Sequence, residues 1–319
     1  MSTMPTHAPP EALDRRFPAC GQDAAGADPY DALLARLKRE HVPLTVLWEL
    51  THRCNLRCVM CYNVPQPEPE LTTEECFDVL AQLAEAGTLR LILTGGEILT
   101  RRDFFAIAER ARSLGFTLDL KTNGTLITAA VADRIAALAP VQVDISLLGA
   151  TPETSDAVMG QKGTLPRILR GAKLLLARGV RVKLNSLLVD LNIAERQQML
   201  DMALELGVYY EQVFKVSPAD NGGNGAARHQ LSREQMTGVL LADQTPFISR
   251  RRGPDSRTCS VGLASCLISP YGVVYPCVEL RIPAGRLTGV ERQRFADIWA
   301  KAPIFQELRE RHVWRELPE

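Results

Sequence analysis

From residue 44 onward the chain repeats one pattern: a short apolar or β-branched run, then an amphipathic stretch of helical length. The runs are LTVLWEL (44–50), LRLILT (89–94), FTLDLKT (116–122), VQVDISLL (141–148), VRVKLNSLLV (180–189) and VYYEQVFKV (208–216). Helical stretches lie between them near 72–86, 101–114, 128–138, 163–178 and 194–206. Thr72 and Thr73 before Glu75, Thr128 before Asp133, and Asn192 before Glu195 are capping signals. Gly87, Gly115, Gly179 and Gly207 stand where four of the helices should stop. Such alternation predicts an α/β fold with a parallel sheet covered by helices. Six units in about 170 residues are too few for a closed eight-unit barrel. A partial (β/α)6 barrel or a doubly wound sheet remains, and either gathers ligands at the C-terminal ends of its strands.

Those ends carry the chemistry-bearing residues. Three cysteines follow the first strand, TGGE (94–97) ends the second, KTNG (121–124) the third and DISLLG (144–149) the fourth. Asn185 and Lys183 share a face of the fifth strand, and Ser217-Pro218 follow the sixth. The pattern breaks near 217, at the turn-rich DNGGNGAA (220–227). A helix near 232–243 and a small cysteine-bearing hairpin over 259–280 are expected after it. Residues 1–28 have no apolar period and read as mostly disordered; 30–40 have helical spacing. The expected division is therefore 1–43, a barrel over 44–218, and an extension over 219–319.

Thirty-seven basic and 37 acidic residues cancel, so no global field draws nucleic acid or an anionic membrane. No apolar run approaches the ~20 residues that span a bilayer, and the N-terminus has no secretory apolar segment. A cytoplasmic location is expected, where thiols stay reduced. Eight cysteines there point to metal or redox chemistry before disulfides. Three fall at 54–61 and three at 259–277, while Cys20 and Cys76 stand apart and read as structural.

The first set lies in ELTHRCNLRCVMCYN. Three thiolates within eight residues fall one short of a closed tetrahedral site and leave a coordination position open, as a reactive centre requires. Thiolate donors favour zinc or iron–sulfur. A zinc knuckle with His52 as fourth ligand, or three buried structural cysteines, are the plainer alternatives.

The CxxxCxxC spacing of Cys54, Cys58 and Cys61, with Met60 before the last cysteine and Tyr62 after it, resembles the signature of radical S-adenosylmethionine (SAM) enzymes. The resemblance covers roughly 44–218 and the cysteine-bearing tail. It implies a partial TIM-like barrel in which the three cysteines ligate a 4Fe–4S cluster whose fourth iron is chelated by SAM. It also implies an electron donor of the flavodoxin or ferredoxin type. Met60 and Tyr62 would flank that site. Gly95, Gly96 and Glu97 resemble the family's GGE motif, which meets the SAM amino group; Ile98 stands where the family commonly has Pro. Thr122-Asn123-Gly124 resembles its TNG step, and Ser146 its serine after strand four, with Leu148 where an Asp is frequent and Asp144 two residues back. Asn185 is the further SAM-contact candidate, and Arg167 a carboxylate-binding candidate.

The tail CSVGLASCLISPYGVVYPC, with Cys259, Cys266, Gly272 and Cys277, resembles the opening of SPASM and twitch extensions, which bind auxiliary iron–sulfur clusters. IWAKAPIFQELRE resembles the helix that follows in them. No cysteine follows Cys277, so either the series is cut short or Cys259, Cys266 and Cys277 make a three-thiolate site. Zinc there, or no metal, are the alternatives. The resemblance implies a peptide or protein substrate, a ribosomal precursor peptide that is oxidised or crosslinked. The N-terminal 43 residues look too short for a leader-recognition domain, so a separate recognition protein is expected. A radical SAM enzyme of tetrapyrrole or cofactor synthesis or of protein active-site maturation is the second reading; a non-catalytic zinc module is the third. Tyr209, Tyr210, Glu211 and Lys215 near strand six are candidate pocket residues, and no catalytic acid or base is singled out.

Overall fold

The computed structural model describes Leu33, residues 36–242 and residues 260–310. The chain divides into two compact units, Met1–Glu40 and His41–Glu319. Of the first, only Leu33 and residues 36–40 are described, with 36–39 helical. The expected disorder of 1–28, and Cys20 and Cys259, lie outside the described residues.

The second unit carries all six expected strands: β1 (Thr45–Thr51), β2 (Arg90–Gly95), β3 (Thr117–Thr122), β4 (Gln142–Ser146), β5 (Val182–Leu187) and β6 (Tyr209–Val213). They pair in parallel in the order β6-β5-β4-β3-β2-β1. The helices between them are α1 (Thr73–Glu85), α2 (Phe104–Ser113), α3 (Ala129–Ala137), α4 (Pro152–Met159), α5 (Thr164–Leu176) and α6 (Arg196–Leu206), followed by α7 (Arg233–Ala242). Local chemistry sets their ends. Thr72 and Glu75 close a capping box on α1, and Thr128 accepts from the Val131 amide to start α3. Gly207 ends α6 at φ +66°, in the left-handed region that glycine alone enters without penalty. Trp48, Leu50, Leu91, Leu93, Phe104 and Phe116 are fully buried between sheet and helices, each side chain contributing about 2–3 kcal/mol.

Three features depart from the expected pattern. First, α4 interrupts what reads as a plain strand–helix step. Thr151 caps it, Pro152 opens it and Gly160 ends it at φ +67°. Second, Asn192 does not cap a helix through its side chain. Its amide oxygen accepts from Val189, and its amide nitrogen donates to the carbonyls of Leu148 and Leu187. Glu195 reaches back to the start of α4, accepting from the amides of Ala150 and Thr151 and the hydroxyls of Thr151 and Thr154. Third, the C-terminal hairpin of β7 (Ser265–Ile268) and β8 (Val273–Tyr275) is not a free appendage. β7 pairs in parallel with β1 from Thr45↔Ser265 to Trp48↔Ile268 and carries the sheet on through β8 to β9 (Gly285–Arg286). Helices α8 (Phe295–Lys301) and α9 (Pro303–Glu310) follow, and their Phe295, Trp299 and Phe305 seal this end of the core. At the other end β6 is an edge, with β5 its one strand partner among the described residues. The result is an open, partial barrel.

Candidate active site

The loop that leaves β1 is fixed from several sides. Below it, Gly95 and Gly96 pass so close that a Cβ would sit 2.2 Å from the Thr51 carbonyl oxygen at Gly95 and 2.4 Å from that of Arg53 at Gly96. The Gly96 and Glu97 amides donate to these same two oxygens. Beside it, the last turn of α4 accepts from the loop: Arg57 and Val59 amides donate to the carbonyls of Met159 and Val158 at 3.2 and 3.0 Å. Gly160 is required here, because a Cβ would meet the Arg57 oxygen at 2.4 Å. At the loop's start, Glu70 accepts from the Thr51 hydroxyl and the His52 amide. Buried Arg101 donates to the carbonyls of Leu50 and Leu71 at 2.7 and 2.6 Å, joining both ends of the excursion.

Cys54, Cys58 and Cys61 border one cavity of about 520 Å³ at the C-terminal ends of β1 to β5. Met60, Tyr62, Gly95, Gly96, Asn123, Ser146 and Asn185 border it too, so the sequence-predicted residues converge. Asn123 directs its amide nitrogen at the Cys54 sulfur, 3.9 Å away, and the Leu56 amide donates to the same sulfur at 3.4 Å. Glu97 differs from expectation. It is fully buried and does not border the cavity; its carboxylate accepts from the Leu99 and Asn123 amides and the Thr122 hydroxyl. Burial pushes its carboxyl up, against those hydrogen bonds. In this structure the Glu97 carboxylate braces the glycine turn from within. Arg167 also turns away, donating to the Gly163 and Lys162 carbonyls.

A charged ladder crosses β3 to β6, with Lys121 and Asp144 on the cavity wall. Asp144 accepts from Lys121 and lies 2.9 Å from the Lys183 ammonium, which in turn lies 2.8 Å from Glu211. Burial raises Asp144, but the two ammonium groups outweigh it and hold the carboxyl below its ordinary range. Asn185 donates to Glu211 at 3.2 Å. Through the β5–β6 register, Tyr209, Glu211 and Val213 lie opposite Lys183, Asn185 and Leu187 and so extend the cavity-lining face outward; Tyr209 and Val213 are exposed. Tyr210 points the other way, buried and bonded to Ser186, and Lys215 pairs with Glu279.

The donor set suits an iron–sulfur cluster. Burial pushes all three thiols up, and proximity adds to it: Cys58 reaches about 12, raised further by Cys61 and Cys54. Thiols that repel one another's charge and meet N–H donors gain from a cationic centre, which deprotonates them. Among the described residues no three Cys, His, Asp or Glu gather as a single bound ion requires. His52 is no fourth ligand: one ring nitrogen faces the Glu49 carboxylate at 3.2 Å and the other the Val64 carbonyl at 3.2 Å.

Of the second set, Cys266 is corrected. It sits on the core-facing side of β7 with Ile268, 3% exposed, and its thiol is pushed far up by burial. A ligand needs a sulfur that can reach a metal, and this one is enclosed by the core. Cys277, beyond β8, is half-buried. Cys76 is a core thiol 3.4 Å from Arg101. The roles of α4, Glu70 and Arg101 escaped the sequence reading. Only α4 had a signal, in Thr151-Pro152 and Gly160.

Residues 48–203 match the radical SAM superfamily, and residues 259–318 match SPASM, an iron–sulfur cluster-binding domain. The AdoMet-dependent heme synthase of Methanosarcina barkeri is 31% identical over 85% of this chain and 86% of its own length. The PqqA peptide cyclase of Rhizobium meliloti is 30% identical over 84% of this chain and 76% of its own. Among solved structures, Streptococcus suis SuiB bound to its precursor peptide SuiA superposes with a TM-score of 0.64 at 14% identity, covering 94% of this chain and 77% of that one, a likeness of fold.

Proposed function

The chain belongs to the radical SAM superfamily, and from that premise we propose that it modifies a peptide substrate at the cavity bordered by Cys54, Cys58 and Cys61. When bound, the 4Fe–4S cluster and SAM supply the one-electron chemistry that yields a 5′-deoxyadenosyl radical, which takes a hydrogen atom from substrate. Cys54, Cys58 and Cys61 would hold the cluster. Gly95 and Gly96 let the backbone approach SAM, and Asn123, Ser146 and Asn185 orient it from the strand ends. Asn123 and the Leu56 amide, aimed at the Cys54 sulfur, tune its charge. Met60, Leu148 and Met159 line the cavity with apolar surface and limit water near the reacting atoms.

The observation that carries the peptide reading is the open flank. The cavity face runs out onto edge strand β6, where Tyr209 and Val213 stay exposed on the same side as Leu187. An extended chain fits such a face better than a compact small molecule does. Cys259 and Cys277 of the extension hold an auxiliary cluster on this reading. A flavodoxin- or ferredoxin-type protein supplies the electron, a separate protein presents the leader, and the cytoplasm is the compartment. The test mixes anaerobically reconstituted enzyme, SAM, reductant and the precursor peptide encoded nearby. The expected result is 5′-deoxyadenosine together with a mass change in the peptide. Turnover of a tetrapyrrole with the peptide untouched would establish the second reading instead, which the 31% identity to a heme synthase favours.

A further inference from the structure

Arg281 belongs to the extension, in the segment between β8 and β9, yet its guanidinium lies at the root of the cysteine loop. It grips Glu49 with two nitrogens, Nη2 to Oε1 at 2.6 Å and Nη1 to Oε2 at 3.2 Å, across 232 residues of sequence. Glu49 stands on β1 just before the loop and is fully buried. The same carboxylate faces His52, whose other nitrogen faces Val64, so the pair sits under both ends of the loop. The guanidinium carbon also lies 5.3 Å from the ring centre of Tyr62 and 5.7 Å from that of Tyr275. Tyr62 follows Cys61 and borders the cavity; Tyr275 precedes Cys277 by two residues.

A buried ion pair adds little stability over an apolar pair of the same shape, because desolvation offsets the attraction. What a guanidinium adds is geometry: a planar fork fixed by one carboxylate, and flat faces on which rings settle. We propose that Arg281 is a positioning residue. It holds Tyr62 against the cavity, so that the C-terminal extension sets how the barrel binds SAM. The inference rests on the cavity's being the SAM site.

The test is a double-mutant cycle in the full chain, with Arg281→Met, Glu49→Gln and the two together, and with Arg281→Lys beside it. Arg281→Met strands the Glu49 charge and lowers the melting temperature. The double variant removes both charges of the pair and regains part of that stability, since Asp220, 4.0 Å from the guanidinium, keeps its own charge. Glu49 also bonds Tyr62, so the comparison is with Glu49→Gln: if Arg281 positions Tyr62, the double variant binds SAM about tenfold more weakly than that single variant. Its cluster-free form, with no SAM added, also shows faster alkylation of Cys61 than Glu49→Gln, read by peptide mass mapping. Arg281→Lys keeps the charge without the fork and shows the same weakening in a stable fold, which decides the matter should the Met variants not fold. A double variant with the SAM affinity and the Cys61 alkylation of Glu49→Gln would overturn the proposal and leave Arg281 as mere charge balance. Failure of the wild-type protein to bind SAM would refute the functional reading instead, and the alkylation rates would still decide the role of Arg281.

Discussion

Gly96→Ala is the sharpest probe of the site, because it adds one methyl group and nothing else. Gly96 needs no left-handed backbone, so strain from φ does not enter. The new Cβ would lie 2.4 Å from the Arg53 oxygen and 2.8 Å from the Arg53 carbon and the His52 oxygen. All three are backbone atoms, so no side chain can swing aside. Reaching even 3.0 Å requires a shift of about 0.6 Å, the gap between 2.4 and 3.0 Å. The strand must move with the Glu97 amide that donates to Arg53, and Cys54 is the next residue. Overpacking of this kind costs about 1–3 kcal/mol. A displacement approaching 1 Å at a catalytic constellation costs up to about a hundredfold in rate. The expected outcome is a folded protein with lowered iron after anaerobic reconstitution and 5′-deoxyadenosine formation reduced by about ten- to a hundredfold. Gly225→Ala is the control, since a Cβ there meets nothing within 4 Å. Wild-type iron content and cleavage rate in Gly96→Ala would refute the claim that the second glycine sets the position of the first cysteine.

Three other outcomes follow from the same geometry. Arg101→Met leaves the buried carbonyls of Leu50 and Leu71 without their donor and should lower unfolding stability by about 3 kcal/mol in urea titration. Asp144 has a depressed carboxyl, so its contribution to stability is present above the unfolded value of about pH 4 and lost as pH falls through the folded one. The stability gap between wild type and Asp144→Asn should therefore hold steady from pH 7 to about pH 5 and shrink below about pH 4 in a pH series of unfolding curves. Cys266→Ala should cost about 1 kcal/mol and leave iron content unchanged, whereas Cys277→Ala should lower iron without comparable loss of stability; equal iron loss in both would return Cys266 to the ligand set.

The strands, most helix ends and the cysteine loop were legible because each is written locally. Periodicity shows which residues are buried, and Thr72, Thr128 and Gly207 mark ends by forming bonds or turns within a few residues. What escaped is what depends on partners far along the chain. The run around Cys266 reads correctly as a hairpin, yet nothing in it says that β7 will pair with β1, the pairing that carries Cys266 into the core. Glu97 is a carboxylate after two glycines, as a ligand-binding turn would have; only the fold shows that the Thr122 hydroxyl and Asn123 amide take it inward. Arg281 and Glu49 are 232 residues apart and share no local pattern at all.

The contacts that shape the loop thus lie in the scaffold around it. In a zinc finger the ligands are also the fold, and removing the ion unfolds the domain. Here the cysteine loop is held by backbone bonds to α4, by the glycines of β2, by Glu70 and Arg101, and by Arg281 from the extension. None of these uses a cysteine sulfur. The thiols themselves are pushed up by burial and by one another, and their own bonds are long ones, such as the Leu56 amide 3.4 Å from the Cys54 sulfur. On the proposed reading, preorganisation of this kind lets three cysteines border one cavity while a fourth coordination position is left to SAM. Stability built into the scaffold is the physical condition for a centre that must stay open on one side.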